Sequence, residues 1–153
     1  MATTRNPLKR VRIGLGVLAF PTLLSGAWAL FAPRSWYSDY GGGAAPPSAF
    51  GAYNEHFIQD FGGGALAVGA ILVFAMLWPR RDSVRVALFG FFVQAVPHFI
   101  IHVIDDGELD RAGYLFVNAS WLFGLALGGW VWWMNERVNQ TTEEMSDSTP
   151  ARA

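Results

Sequence analysis

Four long stretches of the chain contain no Asp, Glu, Lys or Arg, and they constrain the fold more than any other feature. They are residues 13–32, 61–78, 86–104 and 112–135. A helix needs about 20 apolar residues to cross the ~30 Å hydrocarbon layer, and lipid offers the backbone no hydrogen-bond partners. The stretches therefore predict an all-α fold, an integral membrane antiparallel four-helix bundle. Its helices are expected at about 11–32, 55–78, 84–104 and 112–135.

The composition supports a membrane protein. Of 153 residues, 52% are hydrophobic and 15% are charged, which is unusually apolar for a soluble domain of this length. The 11 basic and 12 acidic residues nearly balance, so no nucleic-acid partner is expected. The absence of Cys excludes disulfides, thiolate metal sites and a cysteine nucleophile. The expected partners are membrane lipid and either other membrane subunits or further copies of this chain.

Basic residues are concentrated on one side of the predicted bundle. Only Arg34 and Arg111 fall on the other side. The remaining ones are Arg5, Lys9, Arg10, Arg12, Arg80, Arg81, Arg85, Arg137 and Arg152. Because loops rich in Lys and Arg stay in the cytoplasm, both termini are predicted to be cytoplasmic in a multi-pass protein of the bacterial plasma (inner) membrane. Residues 1–10 are then a cytoplasmic N-terminus.

The first span allows a second interpretation, a cleaved secretory signal. A basic start, an apolar run and the small-residue motif "AWA" at Ala27–Ala29 fit that pattern. The run is long for a signal, however, and continues into "LFAPRSWY", which is typical of a membrane interface. A retained span is the main prediction, and cleavage remains the alternative.

The segments outside the spans differ in length and character. The connection 33–54 is long, and Gly41–Gly43 and Pro46–Pro47 are expected to break any regular element in it. A long loop of this kind is often functional and could fold back over the outer mouth of the bundle. The polar residues 136–153 are predicted to be a disordered cytoplasmic tail.

The third span carries a polar series at its outer end. Gln94, His98, His102 and Asp106 are spaced four apart, and Asp105 precedes the last of them. This spacing places them along one face of a helix. Polar residues within a span are costly in lipid and usually face the bundle interior or a watery cavity.

The second span begins with a matching polar group. Asn54 is predicted to cap the helix, and Glu55 lies near the positive end of the helix dipole. Tyr53, His56 and Asp60 then share roughly one face.

Because the second and third helices are predicted to form a tight hairpin, the two polar groups are expected to meet in one site. The same face of the second helix continues to Gly63, Gly64 and Ala67, small residues that let another helix approach closely. The candidate ligand- or metal-binding residues are Glu55, His56, Asp60, His98, His102, Asp105 and Asp106, with Tyr53, Asn54, Gln94 and Asn118 as secondary lining residues.

These residue types allow several roles, and no catalytic residue stands out among them. Two imidazoles four residues apart, with a carboxylate from another helix, can bind Zn, Mn or Fe. The same groups can relay protons or hydrogen-bond a quinone or a lipid headgroup carbonyl. The plainest interpretation is a structural network that ties the helices together in lipid.

The segment "YNEHFIQDFGGGALAVGA", Tyr53 to Ala70, resembles the second-helix signature of small four-helix bacterial membrane proteins grouped as DoxX-like. With "VPHFIIHVID" it is similar to an uncharacterised actinobacterial membrane protein group in which a "YNEH…D" segment accompanies a "PH…H" segment. The resemblance carries no assigned activity, and it implies only that Asn54, Glu55, His56, Asp60, His98 and His102 are the positions of interest. The residues themselves favour an accessory or binding protein that uses the polar site. The alternative is a metal- or quinone-binding redox protein, a component of a DoxX-like oxidoreductase.

Overall fold

In a computed structural model the protein is a bundle of α-helices. The structure describes residues 7–147, and of residues 139–147 only the helical backbone. The helices are α1 (Pro7–Phe31), α2 (Pro33–Asp39), α3 (Glu55–Leu77), α4 (Arg81–Ile104) and α5 (Arg111–Asp147), with short 3-10 turns at Tyr40–Gly43 and Pro47–Phe50. Residues 7–147 contain no β-strand, so the predicted all-α fold class is confirmed.

Four of these helices are long and apolar enough to cross a membrane. They are α1, α3, α4 and the Arg111–Val138 part of α5. The chain is therefore a multi-pass membrane protein. α1 begins at Pro7, earlier than the predicted residue 11, because proline is favoured in the first turn of a helix. The rest of the predicted N-terminal segment, residues 1–6, lies outside the described residues.

The spans pack in a closed ring in the order α1, α3, α4, α5, and α5 returns to α1. The loop end of the bundle is defined here as the end with the connections 32–54 and 105–110. The opposite, termini end holds the start of α1 and the short α3–α4 turn. The main core lies towards the termini end, where the fully buried side chains are Val11, Leu15, Leu72, Val84, Leu88 and Val131.

The tightest contact between helices joins α1 to α3. A Cβ on Gly62 would lie 2.8 Å from the carbonyl oxygen of Gly26, so glycine permits the two backbones to touch. Ala65 and Gly69 continue this buried face of α3. The predicted packing face was therefore wrong: Gly63, Gly64 and Ala67 are exposed, and both of these glycines have open space around them.

The long connection has more regular structure than the sequence predicted. Pro33 opens α2, and Pro47 opens the second 3-10 turn, so these prolines begin helical turns. The glycines 41–43, at the end of the first 3-10 turn, have left-handed φ angles, which glycine adopts without strain. Trp36 lies against the bundle and donates from its indole Nε1 to the Ser25 hydroxyl at 3.1 Å.

The prediction of a disordered tail over 136–153 was wrong for its first part, because α5 remains helical to Asp147. No Gly or Pro interrupts residues 136–147, so nothing in the local sequence ends the helix there. Glu136 also pairs with two arginines of α4, which fixes the end of the span. Residues 148–153 lie outside the described residues.

Candidate functional site

His98 and His102 form a hydrogen-bonded pair on α4 near the loop end. Their Nε2 atoms lie 3.0 Å apart, and the ring centroids are 4.7 Å apart with the planes at 61°. A bond between two imidazole nitrogens needs one protonated and one unprotonated Nε2. Pro97 stands beside the pair without interrupting α4. The pair is thus held in one geometry, and it holds at most one added proton while that bond persists.

Aromatic rings surround the pair on three sides. The His98 ring is 4.6 Å from the Trp121 ring of α5 and 6.3 Å from the Phe61 ring of α3. Phe50, from the second 3-10 turn, meets His102 edge-on at 4.8 Å. The imidazoles therefore lie in a largely apolar setting, where an unpaired polar atom is costly.

Asn118 on α5 contacts the backbone of α4 beside this pair. Its amide Nδ2 donates to the carbonyl oxygen of Tyr114 at 3.0 Å and to that of His102 at 3.4 Å. Two atoms at this α4–α5 contact are buried and have no hydrogen-bond partner among the described residues: Asn118 Oδ1 and His102 Nδ1. Buried polar atoms without a partner are uncommon in native proteins, so this contact requires an explanation.

The second 3-10 turn covers the loop end beside the pair. The amide of Glu108 donates to the Ala49 carbonyl oxygen at 2.8 Å. Gly107 has φ +58°, and a Cβ there would lie 2.8 Å from a ring carbon of Phe50, so only glycine fits. The turn 105–108 is therefore shaped to hold Phe50 over His102.

Two open surface depressions flank the Ala49–Glu108 contact, with volumes of about 360 and 460 Å³. Backbone and small side chains from 43–52 and 107–113 line them. Neither is lined by His98, His102 or Asn118. The polar pair thus lies beneath the cover, away from either depression.

The predicted group at the start of α3 faces outward. Asn54 caps the helix as predicted, accepting from the Phe57 amide at 3.1 Å. His56 Nε2 and Asp60 Oδ2 lie 3.5 Å apart, and these side chains are 89% and 69% exposed. The Tyr53 hydroxyl donates to Glu55 at 2.9 Å. Partial loss of contact with water and then this hydrogen bond raise the pKa of the Tyr53 phenol.

The other predicted residues of α4 and the following turn have separate surroundings. Asp105 accepts from the Gly107 amide at 3.1 Å and so stabilises the turn. Asp106 is exposed, and its backbone carbonyl accepts from Leu109 at 3.2 Å. Gln94 is half-buried on α4, one turn before His98. The Asp105 carboxylate therefore stabilises the turn, and the Asp106 carboxylate lies at the surface.

A shared metal site does not form from these residues. Within the described part of the chain, no three His, Asp or Glu side chains lie close enough together to hold one ion. The predicted hairpin of the second and third spans suggested that His98 and His102 could bind one metal ion together with His56 and Asp60. The structure does not bring these two pairs together in that way. The physical reason is rotation of α3: its packed face is set by Gly62, and His56 and Asp60 turn away from the bundle interior.

The sequence interpretation missed a second polar cluster, at the termini end. Glu136 of α5 accepts from Arg85 at 2.7 Å through each of its oxygens, and from Arg81 at 2.9 Å. Asn135, 3% exposed, donates to the Arg81 carbonyl at 3.1 Å. One signal in the sequence could have indicated this cluster. An isolated acidic residue directly follows the aromatic end of the fourth span, and the turn between the second and third spans is rich in arginine. The cluster fixes α4 to α5.

Comparison of the chain with protein-family models, with curated proteins and with solved structures gave no match.

Proposed function

We propose that this chain is a binding protein of the bacterial plasma membrane and that its site holds the polar end of a membrane-soluble ligand. The site consists of His98, His102 and Asn118, covered by Phe50. The observation that carries the proposal is the pair of buried, unpartnered atoms, His102 Nδ1 and Asn118 Oδ1, at one contact between α4 and α5. An accessory role beside other membrane subunits or in a homo-oligomer fits such a protein.

Energetics favour binding over a purely structural network. A buried polar atom without a partner costs about 1–3 kcal/mol, and this contact carries two of them. A network that serves packing alone is expected to satisfy its own buried polar atoms. Polar groups retained within a span at this cost are characteristic of ligand sites.

The alternative, a metal- or quinone-dependent redox protein with a DoxX-like role, has weaker support. The described residues provide two imidazoles but no third ligand near them for a metal ion. Membership among DoxX-like proteins rests on the "YNEHFIQDFGGG" motif and stays a prediction.

The proposed orientation places both termini in the cytoplasm and the loop end outside. It rests on the basic residues, including Arg80, Arg81 and Arg85 in and after the α3–α4 turn. A reporter that is active only outside the cytoplasm, fused to the C-terminus, is expected to be inactive. Activity of that reporter would reverse the orientation.

Co-purification tests the binding role. The wild-type chain, His102→Ala and the matched control His56→Ala would be extracted in native lipid discs and their bound small molecules measured by mass spectrometry. A specific amphiphile is expected with wild type and with His56→Ala, whose side chain is exposed, and it is expected to be depleted in His102→Ala. The same small-molecule content in all three would refute the proposal. Elemental analysis of these samples checks the metal alternative.

A further inference from the structure

The termini end of the bundle carries an excess of positive charge. Among residues 7–138, seven basic and two acidic side chains lie at this end. The basic ones are Lys9, Arg10, Arg12, Arg80, Arg81, Arg85 and Arg137, and the acidic ones are Asp82 and Glu136. We infer that this end binds the headgroup of an anionic phospholipid beside the α1–α3 contact, through Arg12 of α1 and Arg80 of the α3–α4 turn. This site is separate from the His98–His102 pair, which lies near the loop end, and does not depend on it.

Both acidic side chains at the termini end already contact arginine. Glu136 accepts from Arg81 and Arg85, and Asp82 lies 3.5 Å from Arg85. Within residues 7–138, the exposed basic side chains that have no carboxylate partner are Lys9, Arg10, Arg12 and Arg80. Because these four side chains are exposed, an anion can approach them from the surroundings without displacing any part of the fold.

The packing of α1 against α3 places Arg12 and Arg80 at about the same depth. The facing pairs along this antiparallel contact are Gly62 with Leu30, Gly26 with Leu66, and Gly16 with Met76. Each step towards the start of α1 is thus matched by an equal step towards the end of α3. One further turn leads from Gly16 to Arg12 and from Met76 to Arg80, which lies in the turn after α3. The two arginines therefore belong to neighbouring elements at one level of the bundle.

This level corresponds to the lipid headgroups. Trp78, two residues before Arg80, is 54% exposed, and tryptophan at the end of a span is typical of the headgroup region. Ile13, next to Arg12, is 56% exposed and begins the charge-free stretch 13–32. A phospholipid can therefore place its phosphate group against the arginines and its acyl chains along the spans.

An anionic phospholipid matches these side chains better than a zwitterionic one. A guanidinium group binds phosphate oxygens through two parallel N–H donors. Phosphatidylglycerol has a net negative charge, whereas the ammonium group of phosphatidylcholine balances the charge of its own phosphate. Lys9 and Arg10 raise the positive potential at the start of α1, which favours the net anion. Nucleic acids and acidic peptides lack acyl chains, so they cannot use the exposed apolar side chains beside the arginines.

Native mass spectrometry of the full chain in detergent tests the inference, because it counts bound lipid molecules one by one. Phosphatidylglycerol and phosphatidylcholine with identical acyl chains would be titrated separately. We expect the wild-type chain to bind phosphatidylglycerol more tightly, and this preference to shrink as the ammonium acetate concentration rises and screens the charges. Glycerol 3-phosphate at the same concentration should not displace the lipid, because it lacks acyl chains.

Paired substitutions locate the effect. Arg12→Gln with Arg80→Gln removes two charges at the termini end, and phosphatidylglycerol binding is expected to weaken about fivefold for each of them. The matched control is Arg34→Gln with Arg111→Gln, which removes two charges at the loop end and should leave binding unchanged. His102→Ala should also bind phosphatidylglycerol as the wild-type chain does, so the failure of one proposal leaves the other intact.

Three results would overturn the inference. The first is equal affinity of the wild-type chain for phosphatidylglycerol and phosphatidylcholine. The second is equal affinity of the two paired variants for phosphatidylglycerol, since net charge alone would then account for binding. The third is displacement by glycerol 3-phosphate, which would indicate a soluble phosphate ligand. If the Arg12 and Arg80 variant fails to fold, the comparison of the two lipids on the wild-type chain at low and high salt decides alone.

Discussion

Gly62 of α3 lies directly against Gly26 of α1. A Cβ on Gly62 would be 2.8 Å from the Gly26 carbonyl oxygen and 2.7 Å from the Leu30 amide nitrogen. A Cβ on Gly26 would be 2.8 Å from the Leu66 amide nitrogen. Backbone atoms cannot move aside as side chains can, so each glycine is required by this crossing.

Replacing either glycine by alanine is expected to separate α1 from α3. The added methyl group meets backbone on the facing helix, and overpacking of this kind costs about 1–3 kcal/mol. Gly62→Ala should therefore lower the midpoint of thermal unfolding in detergent. Gly63→Ala, one residue along, meets no atom within 4 Å and should leave the midpoint unchanged or raise it slightly, because alanine favours helix. Equal midpoints for the two variants would contradict the described crossing.

The Glu136 cluster predicts a second stability effect. Glu136→Gln removes the charge that both Arg81 and Arg85 bond, and leaves two guanidinium groups close together. We expect the unfolding midpoint to fall by a few degrees, and by less in concentrated salt, which screens the charges. Asp82→Asn is the control, because its 3.5 Å contact with Arg85 is exposed and such pairs contribute little. A variant as stable as wild type would show that packing alone fixes the ends of α4 and α5.

Phe50 is predicted to control access to His102. Phe50→Ala removes the ring that meets the imidazole at 4.8 Å, so a water-soluble histidine reagent should modify His102 severalfold faster. Diethylpyrocarbonate with peptide mass spectrometry measures this rate, and exposed His56 provides the reference rate in the same sample. Phe57→Ala removes an exposed ring and should not change it. An unchanged His102 rate in Phe50→Ala would show that the reagent enters by another route.

The histidine pair is predicted to bind protons as a unit. Two protonated Nε2 atoms 3.0 Å apart would direct their hydrogens at each other, so the intact pair accepts one added proton at most. Nitrogen-15 titration of labelled protein should show one added proton shared by His98 and His102. Replacing His98 by Gln should remove the coupling and leave His102 to titrate as a single group. Two independent titrations in the wild-type chain would mean that the pair separates.

The spans could be predicted because lipid imposes a simple requirement on sequence. A charged residue is costly at mid-membrane, so the charge-free stretches 13–32, 61–78, 86–104 and 112–135 indicate the four helices directly. The helix cap at Asn54 could also be predicted, because its side chain bonds to an amide only three residues further along the chain. Side chains that act within one turn of their own backbone leave a visible pattern in the sequence.

Helix rotation could not be predicted in the same way. Gly62, Gly63 and Gly64 are adjacent and chemically identical, yet only Gly62 meets α1. Their order does not reveal which of them faces inward, and an error of one residue turns a helix by about 100°. That error carried His56 and Asp60 into the predicted interior, whereas both are exposed.

Contacts between residues far apart in sequence were also beyond prediction. Glu136 meets Arg81 and Arg85 across more than fifty residues, and Phe50 reaches His102 from a connection that the sequence suggested had no regular structure. Such pairs depend on which helices are neighbours in the ring. The polarity of each residue was evident, but its partner was not.

The glycine contact between α1 and α3 also bears on how the chain is assembled. These helices precede α4 and α5 in the chain, and α2, fastened to α1 by the Trp36–Ser25 hydrogen bond, lies in the connection between them. A chain that enters the membrane from its N-terminus can complete its closest helix pair before α4 and α5 are synthesised. In that order of assembly, α4 and α5 would close the ring against a pair already formed.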